Sequence, residues 1–390
     1  MRRILWIALA NAAGALQYYL VGYVASSFIQ QYLSNTANGM IFSAAALLMM
    51  GGFLVAPFVF QRISVRRAGV LLSLADIAAL FALSFKLPSF AAIILITIQM
   101  ALAPLIWYTL DLFLENATLD EGRTGHMRGL FLTSGNVALV AAPVLIGFVL
   151  GTTNAYGRIF FAAAISMLVF VGILVTRQRF LADEKIIDPG SLWQTLIRLL
   201  RNPEIRSVLI ANTLLQSFYI WAPVYVPLYL HAELGIPWSA LGPIFALMLL
   251  PFLLIELPMG FLEDKFRGAR AVMATGFAIT GASLASFAFI TASTSLAVIA
   301  TVLIFTRIGA ALIEITAETS FFRDVGGQDA ESVSFFRMTR PLGMLIGPIF
   351  GSFFLLFVTL QAVFIPLGIL CFFGIPFALR IKDGAQRASA

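Results

Sequence analysis

Residues 294–318 read TSLAVIATVLIFTRIGAALIEITAE. A helix of about 20 apolar residues crosses a hydrocarbon core about 30 Å thick, and this stretch has that length and character. It nevertheless holds Arg307, Glu314 and Glu318. Arg307, Ala311, Glu314 and Glu318 are spaced four, three and four apart, which puts them on one face of a helix. At the helical rise, Glu314 lies roughly 10 Å and Glu318 roughly 16 Å along the axis from Arg307, so the stripe is a ladder rather than a single contact pair. An ionised side chain in hydrocarbon costs a few kcal/mol or more, and it is turned toward a bundle interior or a water-filled cavity. The stretch predicts a membrane helix whose ionisable face avoids lipid.

The rest of the chain has the same character. Of its 390 residues 60% are hydrophobic and 11% charged, and the mean hydropathy is +0.95. Soluble domains carry roughly 25% charged residues. This mixture excludes a cytosolic enzyme, a disordered chain and a disulfide-bonded secreted scaffold. Cys371 is the only cysteine, and His126 and His231 lie far apart, so neither a disulfide nor a metal cluster is expected. Apolar runs broken by charges and turn residues fall near 4–30, 38–60, 68–87, 89–113, 129–151, 157–177, 206–231, 238–261, 269–290, 294–318, 336–357 and 361–380. They are long and Phe-rich rather than ten-residue alternating segments, which favours helices over a β-barrel. The expected fold is an all-α membrane protein of twelve transmembrane helices.

Orientation follows from the basic residues. With the N-terminus, every second loop and the C-terminus on one side, that side collects 22 of the 25 Lys and Arg. Only Lys86 and Arg158 fall opposite, and Arg307 lies within a span. The positive-inside rule then places both termini in the cytoplasm, and the net charge of +6 reflects topology, not nucleic-acid binding. The longest break, 178–205, separates an N-terminal bundle at 1–177 from a C-terminal one at 206–380, with a tail at 381–390. Inside the break, Ser191 follows Pro189 and Gly190 and could cap a short helix. There Leu192, Leu196 and Leu199 share a face near Arg198 and Arg201. A helix lying on the cytoplasmic membrane surface and a solvated linker are both open readings.

The second half repeats the first. Asn11 and Tyr18 in span 1 meet Asn212 and Tyr219 in span 7, each 201 positions on, and Pro57 meets Pro258 at the same offset. Asp111 and Glu115 meet Glu314 and Glu318 at an offset of 203, while Pro143 and Gly147 fall near Pro348 and Gly351. Internal repeats of this kind mark secondary transporters. The loop GFLEDKFRGAR after span 8 supplies Gly260, Leu262, Asp264, Lys265, Gly268 and Arg270. It resembles the loop motif G-x-L-x-D-[RK]-x-G-[RK] of the major facilitator superfamily, with the later Gly one position late. The equivalent VFQRISVRRAG keeps Arg66 and Arg67 but has Ile63 in place of the Asp. The resemblance implies two pseudo-symmetric six-helix bundles whose spans 1, 4, 7 and 10 line a central cavity.

On that reading, substrate contact is expected from Asn11, Tyr18, Trp107, Tyr108, Asn212, Gln216, Tyr219 and Trp221. Amides, phenols and indoles make an amphipathic pocket for a moderately apolar organic solute, although the same residue types also bond helix to helix. Asp111, Arg307 and Glu314 lie deeper and are expected to couple protons, since a carboxylate can exchange its proton for a permanently charged arginine partner. Glu115 and Glu318, at the cytoplasmic ends, are expected to pair with loop arginines, and with Arg66, Arg67, Asp264, Lys265 and Arg270 they form the expected cytoplasmic gate. Drug–proton antiporters of the superfamily carry an arginine in span 4 where this chain has Pro104. Asp76, in span 3, either faces the cavity or pairs with a neighbour. Gly343, Gly347 and Gly351 lie four apart and predict close helix contact.

No HExxH, GxSxG or GxxxxGK[ST] motif occurs, so neither an enzyme nor a nucleotide-driven pump is expected. The function expected is alternating-access transport of a small amphipathic solute, without cofactors, as a monomer in a bacterial inner membrane. Proton-coupled export is the direction suggested by the Gly/Pro pattern of span 5. Uptake by symport or uniport is the alternative on the same fold, and a lipid scramblase or a transporter-like sensor the alternatives of another class.

Overall fold

The computed structural model describes residues 2–121, 124–177, 192–252, 268–325 and 330–381. Among these there is no strand. With no water to bond exposed backbone groups, a helix that pairs them internally is the form an apolar span takes. The elements are α1 (Arg2–Gln30), α2 (Asn35–Arg62), α3 (Val65–Leu83), α4 (Ser89–Glu121), α5 (Thr124–Leu150), α6 (Gly157–Thr176), α7 (Leu192–Arg201) and α8 (Pro203–Pro227). After a π-helical turn at Leu228–Glu233 come α9 (Trp238–Met248), α10 (Ala269–Ser286), α11 (Leu296–Val325), α12 (Ala330–Phe354), α13 (Phe364–Phe372) and α14 (Gly374–Ala378).

Side chains fix several helix starts. The Ser64 hydroxyl accepts the Arg67 N–H at the head of α3, 3.3 Å away. At α8 the Asn202 carbonyl oxygen accepts the Glu204 N–H at 3.0 Å, and Pro203 occupies the first turn, where its missing donor costs nothing. Within the apolar helices, hydroxyls bond back to the preceding turn, as Ser73 does to Gly69 and Thr97 to Ile93. Pro223 and Pro227 delete two donors near the end of α8, and the π-helical turn follows directly.

Eight helices among the described residues are long and apolar enough to cross a membrane. The other four expected spans have visible reasons to fall short, that of α12 because Arg337 and Arg340 lie within it. Helix α3 carries Arg66, Arg67 and Asp76 within 19 residues. The description breaks off after Phe252, beyond α9, and the last span is divided between α13 and α14. The expected interfacial segment does contain a helix, α7. Its Leu199 is buried and its Arg198 guanidinium donates to the Ser332 hydroxyl of α12 at 3.2 Å.

The chain divides into two compact units. Unit 1 comprises residues 1–34, 41–187 and 230–246; unit 2 comprises 35–40, 188–229 and 247–390. The core of unit 1 is apolar: Ile7 and Ala10 of α1, Ile106, Leu110 and Phe113 of α4, and Met167 and Phe170 of α6. Gly147 of α5 and Gly242 of α9 touch backbone to backbone, a Cβ on Gly242 falling 2.9 Å from the Gly147 Cα. In unit 2 the glycines of α12 lie against α8. A Cβ on Gly343 would stand 2.6 Å from the Gln216 carbonyl carbon and 2.7 Å from the Ser217 nitrogen, and one on Gly347 would stand 3.1 Å from the Ser217 oxygen.

One piece of wiring occurs in both units. In unit 1 the Asn11 amide of α1 donates to the Phe131 carbonyl of α5 at 2.9 Å and to the Ser134 hydroxyl at 3.0 Å. Ser134 itself bonds back to Phe131. In unit 2 the Asn212 amide of α8 donates to the Thr339 hydroxyl of α12 at 2.7 Å, and Thr339 bonds back to Phe336. The asparagines are 201 residues apart and their partners 205, so the duplicated landmarks are duplicated contacts.

Two predictions follow from this packing. Gly343→Val should destabilise the detergent-purified protein by about 1–3 kcal/mol, the usual cost of overfilling a packed contact. Gly172→Ala, where a Cβ meets open space, should leave its thermal unfolding unchanged. Asn11→Ala and Asn212→Ala should each cost about 1 kcal/mol, the scale of an interhelical hydrogen bond in lipid, with no change in the KM for a transported solute.

Candidate functional site

The ionisable stripe expected on span 10 lies along α11 and meets α8. The Tyr219 hydroxyl of α8 donates to the Glu314 carboxylate of α11. The Arg307 guanidinium sits 5.1 Å from the Phe218 ring centroid and 5.9 Å from that of Tyr219. The phenol thus stands between the two charges of the ladder, its face toward the arginine and its hydroxyl on the acid. Arg307 is buried, at 5% exposure, so its charge is held by the protein rather than by bulk solvent. Glu314 feels a second guanidinium as well, that of Arg340 on α12. Phe252 closes the group, its ring centroid 6.0 Å from that of Tyr219.

The chemistry of this cluster is that of an exchangeable anion. Arginine keeps its charge at any accessible pH and offers a planar fork of donors suited to carboxylates. A carboxylate within electrostatic reach of two such groups can hold its charge, or take a proton and leave the guanidiniums to another anion. The aromatic rings of Phe218, Tyr219 and Phe252 supply apolar faces beside these charges, as an amphipathic ligand requires.

The expected pocket residues divide on inspection. Tyr18 of α1 packs on Trp107 of α4 with centroids 4.8 Å apart, and Tyr19 joins at 5.9 Å. Tyr108 instead turns to α2, where it meets Phe53 at 5.5 Å and Phe60 at 5.8 Å. Asn11 and Asn212 are buried and committed to the α1–α5 and α8–α12 bonds. Trp221, expected at the substrate, is 1% exposed and donates its indole N–H to the Gly347 carbonyl at 2.6 Å. It holds α12 on α8. Gln216 is half-buried on α8 beside Gly343.

The backbone of α4 is described through Asp111 and Glu115, but their side chains lie outside the described residues, as do Asp264 and Lys265. Of the expected gate, Arg66 is half-buried at the start of α3, Arg67 and Arg270 are exposed in first turns, and Glu318 is exposed on α11. Sequence reasoning does not single out Arg340, whose charge reaches Glu314, or Phe218, whose ring faces Arg307. The signal for Arg340 is its place within a largely apolar helix, directly before Pro341. Gln17 and Gln99 were also missed; they surround Asp76, whose carboxylate accepts from the Gln17 amide at 3.1 Å.

Residues 225–389 match the sequence model of the Major Facilitator Superfamily. No curated protein matches the chain in sequence. Among solved structures, a POT family transporter in complex with 5-aminolevulinic acid is 14% identical, with a TM-score of 0.79 over 97% of this chain and 95% of that one. The nucleoside transporter NupG is also 14% identical, with a TM-score of 0.74 over 98% of this chain and all of that one, 100%. A structure of proton dependent oligopeptide transporters is 11% identical, with a TM-score of 0.71 over 97% of both chains. At such identities the likeness shows the fold alone. The sequence match covers the second part of the chain and the fold likeness nearly all of it, and the eight apolar helices are those of an integral, multi-pass membrane protein.

Proposed function

We propose that the protein is a proton-coupled secondary transporter that moves a small amphipathic organic solute by alternating access. The observation that carries the reading is the Tyr219–Glu314 hydrogen bond under the Arg307 guanidinium. Glu314 is the proton acceptor and Arg307 the cation it releases when protonated. Arg340 is a second anchor for an anionic group of the solute. Tyr18, Trp107 and Tyr219 supply aromatic contact, while Asn11, Asn212 and Trp221 serve packing. Asp111, Glu115 and the cytoplasmic gate residues keep the roles expected of them from sequence. The likeness to a structure of proton dependent oligopeptide transporters, and to a POT family transporter holding 5-aminolevulinic acid, favours a solute that carries a carboxylate.

The same proposal includes twelve spans in two halves, residues 1–177 and 206–380, with 178–205 between them and a tail at 381–390. It places both termini in the cytoplasm of a bacterial inner membrane and takes the working form to be a monomer. The Gly/Pro pattern that suggested export has a packing role here, Gly147 lying on Gly242. The carboxylate and its arginines serve antiport and symport equally, and the sign of the response to a pH gradient separates them.

The test begins with a thermal-shift screen of purified protein against amino acids, short peptides and nucleosides, followed by flux of each hit in proteoliposomes. An imposed pH gradient should drive net accumulation, and Glu314→Gln should retain solute exchange while losing accumulation. Wild-type flux indifferent to the gradient, or accumulation surviving in Glu314→Gln, removes the coupling. Tyr219→Phe keeps the ring beside Arg307 but deletes the donor to Glu314. It should shift the pH at which transport is half-maximal while the KM changes less than threefold.

A further inference from the structure

Asp76 has no part in the site above. It lies in the middle of α3, with no exposed surface at all. Helices α4 and α6 pack against α3. From α4 the carboxyl group is faced by Gln99, and from α1 by Gln17, whose amide donates to Oδ2 at 3.1 Å. The one ionisable side chain of α6, Arg158, sits in its first turn. On α3 itself Arg66 and Arg67 stand ten and nine residues earlier, roughly 14 Å along the axis. Two neutral amides are therefore the groups that meet this acid among the described residues.

The polar atoms around it do not balance. Asp76 Oδ1, Gln17 Oε1 and Gln99 Oε1 are all buried and all lack a hydrogen-bond donor. These three neighbouring side chains thus hold three acceptor atoms without a donor, and hydrogen is what they lack. A buried ionised carboxylate without a counter-charge costs several kcal/mol, and an unsatisfied buried acceptor adds to that. One proton removes both difficulties, since it neutralises the acid and turns Oδ1 into a hydroxyl that can donate to an amide oxygen. A metal ion fits less well. One carboxylate and two amides fall short of the six or so oxygens a hard cation takes, and no group of three or more His, Cys, Asp or Glu side chains gathers among the described residues.

We propose that Asp76, clamped between Gln17 and Gln99, is a proton-binding site separate from Glu314, and that it holds a proton in the arrangement described here. The step is carboxylate plus proton giving carboxylic acid, with no other reactant. The site ties occupancy to packing. The neutral acid joins α3 to α1 and α4 through amide hydrogen bonds, whereas the anion demands water that this contact does not admit. Loss of the proton therefore loosens α3 from its two neighbours.

Infrared difference spectroscopy of the purified full-length chain, stepped from acid to alkaline buffer, reads this directly. A carbonyl stretch of a protonated carboxylic acid should be present and should persist in Glu314→Gln. It should vanish in Asp76→Asn, which mimics the neutral acid in shape. Gln99→Leu keeps the acid but removes a partner, so the band should move without being lost, which assigns it even if Asp76→Asn does not fold. The proposal is overturned if no such band responds to either Asp76→Asn or Gln99→Leu, or if the band disappears in Glu314→Gln. It is equally overturned if replacing potassium by sodium chloride at fixed pH abolishes the band, since the ligand would then be the metal ion.

Discussion

A polar group in an apolar bundle must find its partner inside the protein, and this single constraint arranges most of what is specific here. Serine and threonine hydroxyls spend themselves on the turn behind them. Asparagines reach across to a neighbouring helix, and the Trp221 and Tyr225 donors end on carbonyls of α12. What remains after these local settlements is a short set of side chains with more charge or more acceptors than their surroundings absorb. Among the described residues, Glu314 within reach of two guanidiniums is one such group, and Asp76 with its two glutamines is another.

The duplicated wiring shows how the constraint survives divergence. Asn11 and Asn212 bond to Ser134 and Thr339, and both hydroxyl partners bond back to a phenylalanine carbonyl three residues earlier. Serine has become threonine without loss, because the contact needs only a hydroxyl. The glycine contacts tolerate less: a methyl group on Gly343 would enter the α8 backbone. Charge has not been duplicated in the same way. Arg307 stands in the second half where the first has Pro104, so among the described residues the buried guanidinium belongs to one half alone.

Much of the fold was legible in the sequence for a physical reason: length and hydropathy are one-dimensional properties of a membrane helix. The α11 stripe was legible too, because residues three and four apart share a face whatever they pack on. Partner choice was not. Ser134 lies 123 residues from Asn11, and periodicity says nothing about which helix will be adjacent. Trp107 and Tyr108 look like one aromatic pair in the sequence. Consecutive residues differ by about 100° around a helix, so one meets α1 and the other α2. Asp76 was visible as an anomaly, but its explanation rests on Gln17 and Gln99, neutral residues that no charge count selects.

The two buried acids differ in what can replace the proton. Glu314 has permanent cations at hand, so its ionised form is compensated by the protein, and protonation frees those cations for another anion. On the proposed transport reading, that arrangement makes proton and anionic solute alternatives at one set of groups, which is what coupling requires. Asp76 has only amides. No solute anion gains by its protonation, and its ionised form has nothing to lean on but water. On the two proposals, a proton at Asp76 acts on helix packing alone, so the first acid is suited to exchanging a proton against cargo and the second to sensing whether one is present.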